Sequence, residues 1–332
     1  MSRKLSFLSR HFLMGLLVLA FCLPAQQSAA ADKLRIRAAA NVPAADLMAD
    51  SMKHFLDILK EKSNGQISYD YFPGGVLGSI REVHESMKGY AIHMFAGTVG
   101  DLAPYDKLCD IGNFPYLYTS AEEGNKVWEK IGPEFYDDLA TRSGWRVLYT
   151  WVGAPRDITA KKPIKTPADM KGLKIRVPNW PIFITYFQDK LEASPTVVSF
   201  GELFSALKTG VVDAQENPVY RNIASGFYDV TPYNIQTHHA FDLNDVHVTE
   251  AFWQSLSPEQ QQLFKDAAKE AREWTLQQSE SKMGQSIEEA KAKFGAKMVQ
   301  PDVEAFKKAA EGLEEEYPYL KDMVVKIRAL KL

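Results

Sequence analysis

"KGLKIRVPNW", residues Lys171–Trp180, holds the reading on which the fold turns. Leu173, Ile175 and Val177 alternate with Lys174 and Arg176. A period of two is that of a strand with one buried face, because successive side chains leave opposite sides of a pleated chain. Pro178 closes the strand, since proline has no N–H to give to a ladder. Arg176 then stands beside the proline, on the face opposite the apolar residues. That position fits a solvated side chain. It equally fits a cation held at a strand end for something negatively charged.

Outward from this strand, the chain alternates strand and helix signals. "LRIRAA", Leu34–Ala39, opens as a strand, and "PAADLMADSMKHFLDILKEKSNG" follows with apolar residues near helical spacing. "QISYDYF" is a second strand and "YAIHMFAG" a third. Between them, Ser79 and Glu82 form a capping box for the helix "SIREVHESMKG". This spacing argues for an α/β domain with a largely parallel sheet. A second block begins near Gly153, with a helix in "FGELFSALKTG" and a short strand in "VVDAQENP". "NIQTHHAFDLNDVHVTE" reads as an extended connection back to the first block. Ser257, Pro258 and Gln260 then start a long helix, with a break expected at Met283-Gly284.

Length and composition fit this picture. The 332 residues, 45% hydrophobic and 24% charged, suit two ordinary globular domains. The N-terminus reads as a secretory signal peptide over residues 1–31. Arg3, Lys4 and Arg10 precede the apolar run Phe12–Leu23, and Ala29 and Ala31 supply small residues at the cleavage site. Cleavage there leaves 36 basic and 42 acidic residues, a net charge of −6. Such a chain offers no basic footprint for nucleic acid. Cys109 would be the only cysteine left, so stability must come from the core and not from a disulfide. The expected setting is the periplasm, and the expected state is a monomer.

The motifs narrow the chemistry. "FPGGVLGS" lacks both the Lys-Ser/Thr of a phosphate loop and the spacing of a dinucleotide site, so it reads as a tight turn. The seven histidines show no metal spacing, and no nucleophile motif is present. No cofactor is implied, and an enzyme is not. Arg156 in "GAPRDIT" and Arg176 are forks that match a carboxylate bidentately. Their spacing alone fits exposed surface arginines as well as an anion clamp. Asn217 adds an amide donor and acceptor, and Phe200 and Trp180 are candidate walls of an apolar pocket as well as candidate core.

"PADMKGLKIRVPN", "ASPTVVSFGELFSALKTGVVDAQENP" and "FPGGVLGSIREV" together strongly resemble the solute-binding proteins of tripartite ATP-independent periplasmic (TRAP) transporters, the DctP-like family. The resemblance covers nearly all of the chain after its leader. It implies an α/β, bilobed fold around a ligand cleft, joined by strands and a long helix. The corresponding division is residues 32–153 plus 245–284 for one domain and 154–244 plus 285–332 for the other. It also implies a small organic acid ligand, delivered to permease subunits driven by an ion gradient. Arg176 matches the arginine that binds the ligand carboxylate, Arg156 a second anion contact, Asn217 the asparagine of Q-E-N-P, and Phe200 a pocket wall. Asn41 and Thr98 follow first-domain strands at cleft positions, and His239 lies on the return segment. These hydroxyl partners favour a sugar acid such as a uronate or aldonate. A C4-dicarboxylate, with Arg156 taking its second carboxylate, or a keto acid is the alternative; a periplasmic enzyme acting on a carboxylated sugar is the rival class.

Overall fold

A computed structural model describes residues 33–330. The leader expected over residues 1–31 lies outside the described residues. Among those described, no helix is long and apolar enough to cross a membrane.

Nine strands form one mixed sheet: β1 (Leu34–Ala40), β2 (Ile67–Phe72), β3 (Met94–Thr98), β4 (Trp145–Ala160), β5 (Lys174–Val177), β6 (Ser194–Val197), β7 (Ala214–Asn217), β8 (Tyr233–Thr249) and β9 (Lys297–Val299). Their order is β2-β1-β3-β8-β4-β7-β5-β6, with β9 beside β8. The parallel pairing expected of the first block holds for β1 with β2 and β3, and recurs for β5 with β6 and β7. The middle is antiparallel, because β4 and β8 are long strands that run out and back between the two ends. Their pairing extends from Trp145 opposite Thr249 to Ala160 opposite Tyr233. It slips between Val152 and Pro155 and again between Arg156 and Ile158. Such bulges bend a strand and re-aim side chains.

Local sequence explains the helices around this sheet. The helix Leu47–Lys62 is capped by Asp46, whose side chain accepts from the Met48 N–H. Its buried stripe includes Met52, Phe55, Leu56 and Leu59. Phe55 meets Tyr149 of β4 and Phe264 at ring separations of 5.5 and 6.1 Å. Each such side chain contributes ~1.5–3 kcal/mol on full burial. The Ser79–Glu82 capping box is present at the start of the helix Ile80–Lys88.

Two elements were not legible. The helix Ala121–Ser143 contains Pro133, and glycines 124 and 132. These break the periodic pattern, yet a Cβ on Gly124 would fall 2.9 Å from Val152 Cγ1, so the glycine permits close helix–strand contact. Strand β4 runs through Gly153, where a block boundary was expected.

The expected break at Met283-Gly284 is absent. Pro258–Phe294 is one helix of 37 residues, opened by the Ser257–Gln260 capping box. Its first half packs through Phe264, Ala267 and Ala271 against the core of β1, β3 and β8. Its last turns pack through Ile287 and Ala290 beside Val219 and Tyr228. Contacts at both ends hold the helix continuous through its glycine. A Cβ on Gly284 would meet nothing within 4 Å. Gly284→Ala should therefore raise stability by about 0.5–1 kcal/mol, read as a higher midpoint in urea.

Candidate functional site

The C-terminal ends of β1 and β3 face those of β5 and β7 across a cleft. Ligands sit at such strand ends in α/β folds. The main cavity is ≈ 510 Å³ and the adjoining inner compartment ≈ 60 Å³. The two share Asn41, Ile80, Asp101, Arg176, Pro178, Trp180 and Phe200 as walls, so they form one continuous site.

Arg176 is 4% exposed, although its strand alternates. Ile175 and Val177 are also fully buried, so from Ile175 onward β5 is covered on both faces. Of the two placements the alternation leaves open, the buried one holds. Nε donates to Val198 O at 2.9 Å, and Phe200 lies 5.9 Å from Cζ. Among the described residues, neither terminal nitrogen makes a hydrogen bond or ion pair. Burial, with repulsion from Arg156, lowers its pKa to about 10 against the pull of Glu216 and Asp101. It stays charged at neutral pH.

Arg156 is held differently. Nε donates to Glu216 Oε2 and Nη1 to Asp242 Oδ1, each at 2.5 Å. Nη2 donates to Glu216 Oε1 and O at 2.8 Å and to Asn217 Oδ1 at 3.1 Å. Burial opposes its charge, but Asp242 and Glu216 outweigh that and raise its pKa. The residue borders the inner compartment, and all three of its guanidinium nitrogens are bonded within the protein. Asn217 is likewise engaged, with Nδ2 donating to Gln215 Oε1 at 2.6 Å. Trp180 packs over Arg156, 5.1 Å from ring to Cζ.

His239 does not line the cleft. It sits behind it, with Nε2 3.3 Å from Glu216 Oε2 and Nδ1 2.8 Å from Thr237 Oγ1. Its ring packs among Phe183, Tyr186 and Phe187. The bulge in β8 carries it there: His238 has a φ of 45° and lies within the slipped stretch. His239 therefore meets Glu216 and stands outside the lining of both compartments.

Several site residues escaped the sequence reading. Arg221 lines the inner compartment, its Nε donating to Asp46 Oδ2 at 2.9 Å and its Nη1 to Asp242 Oδ2 at 2.6 Å. Asp242 thus joins Arg156 to Arg221, and Asp46, the cap of the Leu47–Lys62 helix, pairs with Arg221 across the cleft. Asp101 follows β3. Its Oδ2 accepts from Thr98 N at 2.9 Å and its Oδ1 from Trp180 Nε1 at 3.1 Å. The only sequence signals were local ones, the helix-cap position of Asp46 and the place of Glu216 in Q-E-N-P.

Three buried polar atoms of cleft residues lack a protein partner: Asn41 Oδ1, Thr98 Oγ1 and Arg221 Nη2. Buried polar groups are normally satisfied. Among the described residues, the cleft thus combines an Arg176 fork whose terminal nitrogens have no protein partner with polar atoms buried in its walls.

The profile of "Bacterial extracellular solute-binding protein, family 7" (DctP) matches residues 38–319. The 2,3-diketo-L-gulonate-binding periplasmic protein YiaO of Escherichia coli is 32% identical over 221 residues, 66% of this chain and 67% of that protein. The sialic acid-binding periplasmic protein SiaP of Vibrio cholerae is 28% identical over 270 residues, covering 81% and 83%. A TRAP solute-binding protein of Pseudomonas putida F1 with bound D-glucuronate superposes with a TM-score of 0.83 at 30% identity, covering 90% of this chain and 98% of that one. One from Roseobacter denitrificans with bound L-galactonate gives 0.85 at 25% identity, covering 90% and 99%. The chain belongs to family 7 of the bacterial extracellular solute-binding proteins, the bilobed periplasmic DctP family that serves TRAP transport.

Proposed function

We infer that this protein captures a sugar acid, a hexonate or hexuronate, between its lobes and hands it to TRAP permease subunits. It acts as a monomer, by binding and not by turnover. The first lobe comprises residues 32–153 and 245–284, the second 154–244 and 285–332. One hydrophobic core drawn from Ile36 to Ala271 lies in the first lobe, and a cluster of Val219, Tyr228, Ala290 and Ala296 in the second. Each of these lies within one lobe, while the largest cluster runs from Ala39 to Ile327 and joins the two.

The observation that carries the reading is the pair of unpartnered Nη atoms on Arg176, in a cleft where Arg156 and Arg221 are each held by two carboxylates. A guanidinium fork accommodates a carboxylate in two parallel hydrogen bonds. The unpartnered Asn41, Thr98 and Arg221 atoms suit hydroxyls. Relatives bound to D-glucuronate and L-galactonate support the same class. A C4-dicarboxylate is less well served, because Arg156, its expected second cation, is already paired.

A thermal-shift panel tests this. D-glucuronate, D-galactonate and L-galactonate at a hundred times the dissociation constant should each add ~2.7 kcal/mol to stability. Neutral hexoses should leave the unfolding midpoint unchanged. Equal stabilisation by galactose and galactonate would remove the anion from the account.

A further inference from the structure

We propose that Asp101 determines specificity by confining the cleft to acids with a single carboxylate and by accepting hydrogen bonds from the hydroxyls behind it. The proposal rests on the sugar-acid reading and narrows it.

Asp101 stands on the turn after β3 and lines both compartments that Arg176 lines. Both of its oxygens accept from neutral donors, the Thr98 N–H and the Trp180 indole. No cation lies within ion-pairing distance of it among the described residues, whereas Asp46, Glu216 and Asp242 each hold an arginine. Gly97 makes this placement possible, since a Cβ there would fall 2.8 Å from Asp101 Oδ2. Burial raises the pKa of the carboxyl, and the two donated hydrogen bonds oppose that rise.

The cleft is thus polarised. Arg176 offers donors to one end of a guest. Asp101, which lines both compartments and carries two acceptor oxygens, offers acceptors. A hydroxyl donates to such a wall. A second carboxylate has no proton to give and meets a like charge at a buried wall of the cleft. Arg81 also borders the main cavity, but it is exposed and Glu85 borders the same cavity.

The experiment is calorimetric titration of D-galactonate and of galactarate, the six-carbon chain with a carboxylate at both ends. The protein should bind galactonate about a hundredfold or more tighter than galactarate. In Asp101→Asn that ratio should shrink by at least about tenfold, by gain of galactarate affinity relative to galactonate. Equal affinity of the unaltered protein for both acids would overturn the proposal, and that comparison needs no variant to fold. So would an unchanged ratio in a folded Asp101→Asn. If no hexonate or hexuronate binds at all, the sugar-acid reading itself fails and takes this inference with it.

Discussion

Arg176→Met should abolish capture of a sugar acid while leaving the empty protein at least as stable as before. The two effects have one origin. The guanidinium is buried without a counter-ion in contact, and burial pulls its pKa down to about 10. That is an electrostatic cost carried by the folded chain, of about 1–3 kcal/mol. Methionine fills similar volume without the charge, so the unfolding midpoint should hold or rise, even though the Nε bond to Val198 O is lost. Binding loses two charge-assisted hydrogen bonds at ~1.5–3 kcal/mol each. Affinity should therefore drop by at least about a hundredfold. Arg176→Lys should fare little better, because an ammonium is a point donor that cannot grip both carboxylate oxygens in plane. Near-normal affinity in either variant would rule out the clamp.

Asp242→Asn should have the opposite profile, a large loss of stability. Asp242 is 2% exposed and bonds Arg156 through one oxygen and Arg221 through the other. Removing its charge leaves two buried guanidiniums with one carboxylate each. Breaking such a pair costs about 3–5 kcal/mol, a fall in midpoint on the order of 10 °C for a chain of this size. The pH dependence has a defined sign. Burial would raise the Asp242 and Glu216 pKa values, but Arg156, with Arg221 at Asp242 and His239 at Glu216, outweighs it and lowers both. A carboxylate with a depressed folded pKa stabilises the fold above the unfolded pKa of ~4 and loses that contribution as pH falls further. The gap between the protein and Asp242→Asn should hold from neutral pH to about 4.5 and close in stronger acid. An Asp242→Asn midpoint within 2 °C of the parent, roughly one kcal/mol, would show that the network is not what holds the second lobe to the first.

The two predictions also show what a sequence can carry. The strand around Arg176 was readable from its period, and the helices from caps such as Ser79–Glu82 and Ser257–Gln260. These signals are local, acting within three or four residues. The resemblance then drew attention to Arg176. What stayed hidden depends on distance along the chain. Arg221 and Asp46 are 175 residues apart, and Arg156 and Asp242 are 86 apart. Nothing in either neighbourhood states that the pair will meet. The same holds for the face of Arg176: alternation reports one covered side and is silent about what buries the other. The place of His239 behind the cleft follows from a bulge in β8, which a two-residue period does not show.

The unbroken helix Pro258–Phe294 has a mechanical corollary. At ~1.5 Å per residue it is a rod about 55 Å long, fastened to the first lobe near Phe264 and to the second near Ala290. Lobes tethered by such a rod cannot separate freely; it has to flex, and a flexed rod pushes back. Any change in the separation of its two attachment points must bend this rod or peel one end from its packing.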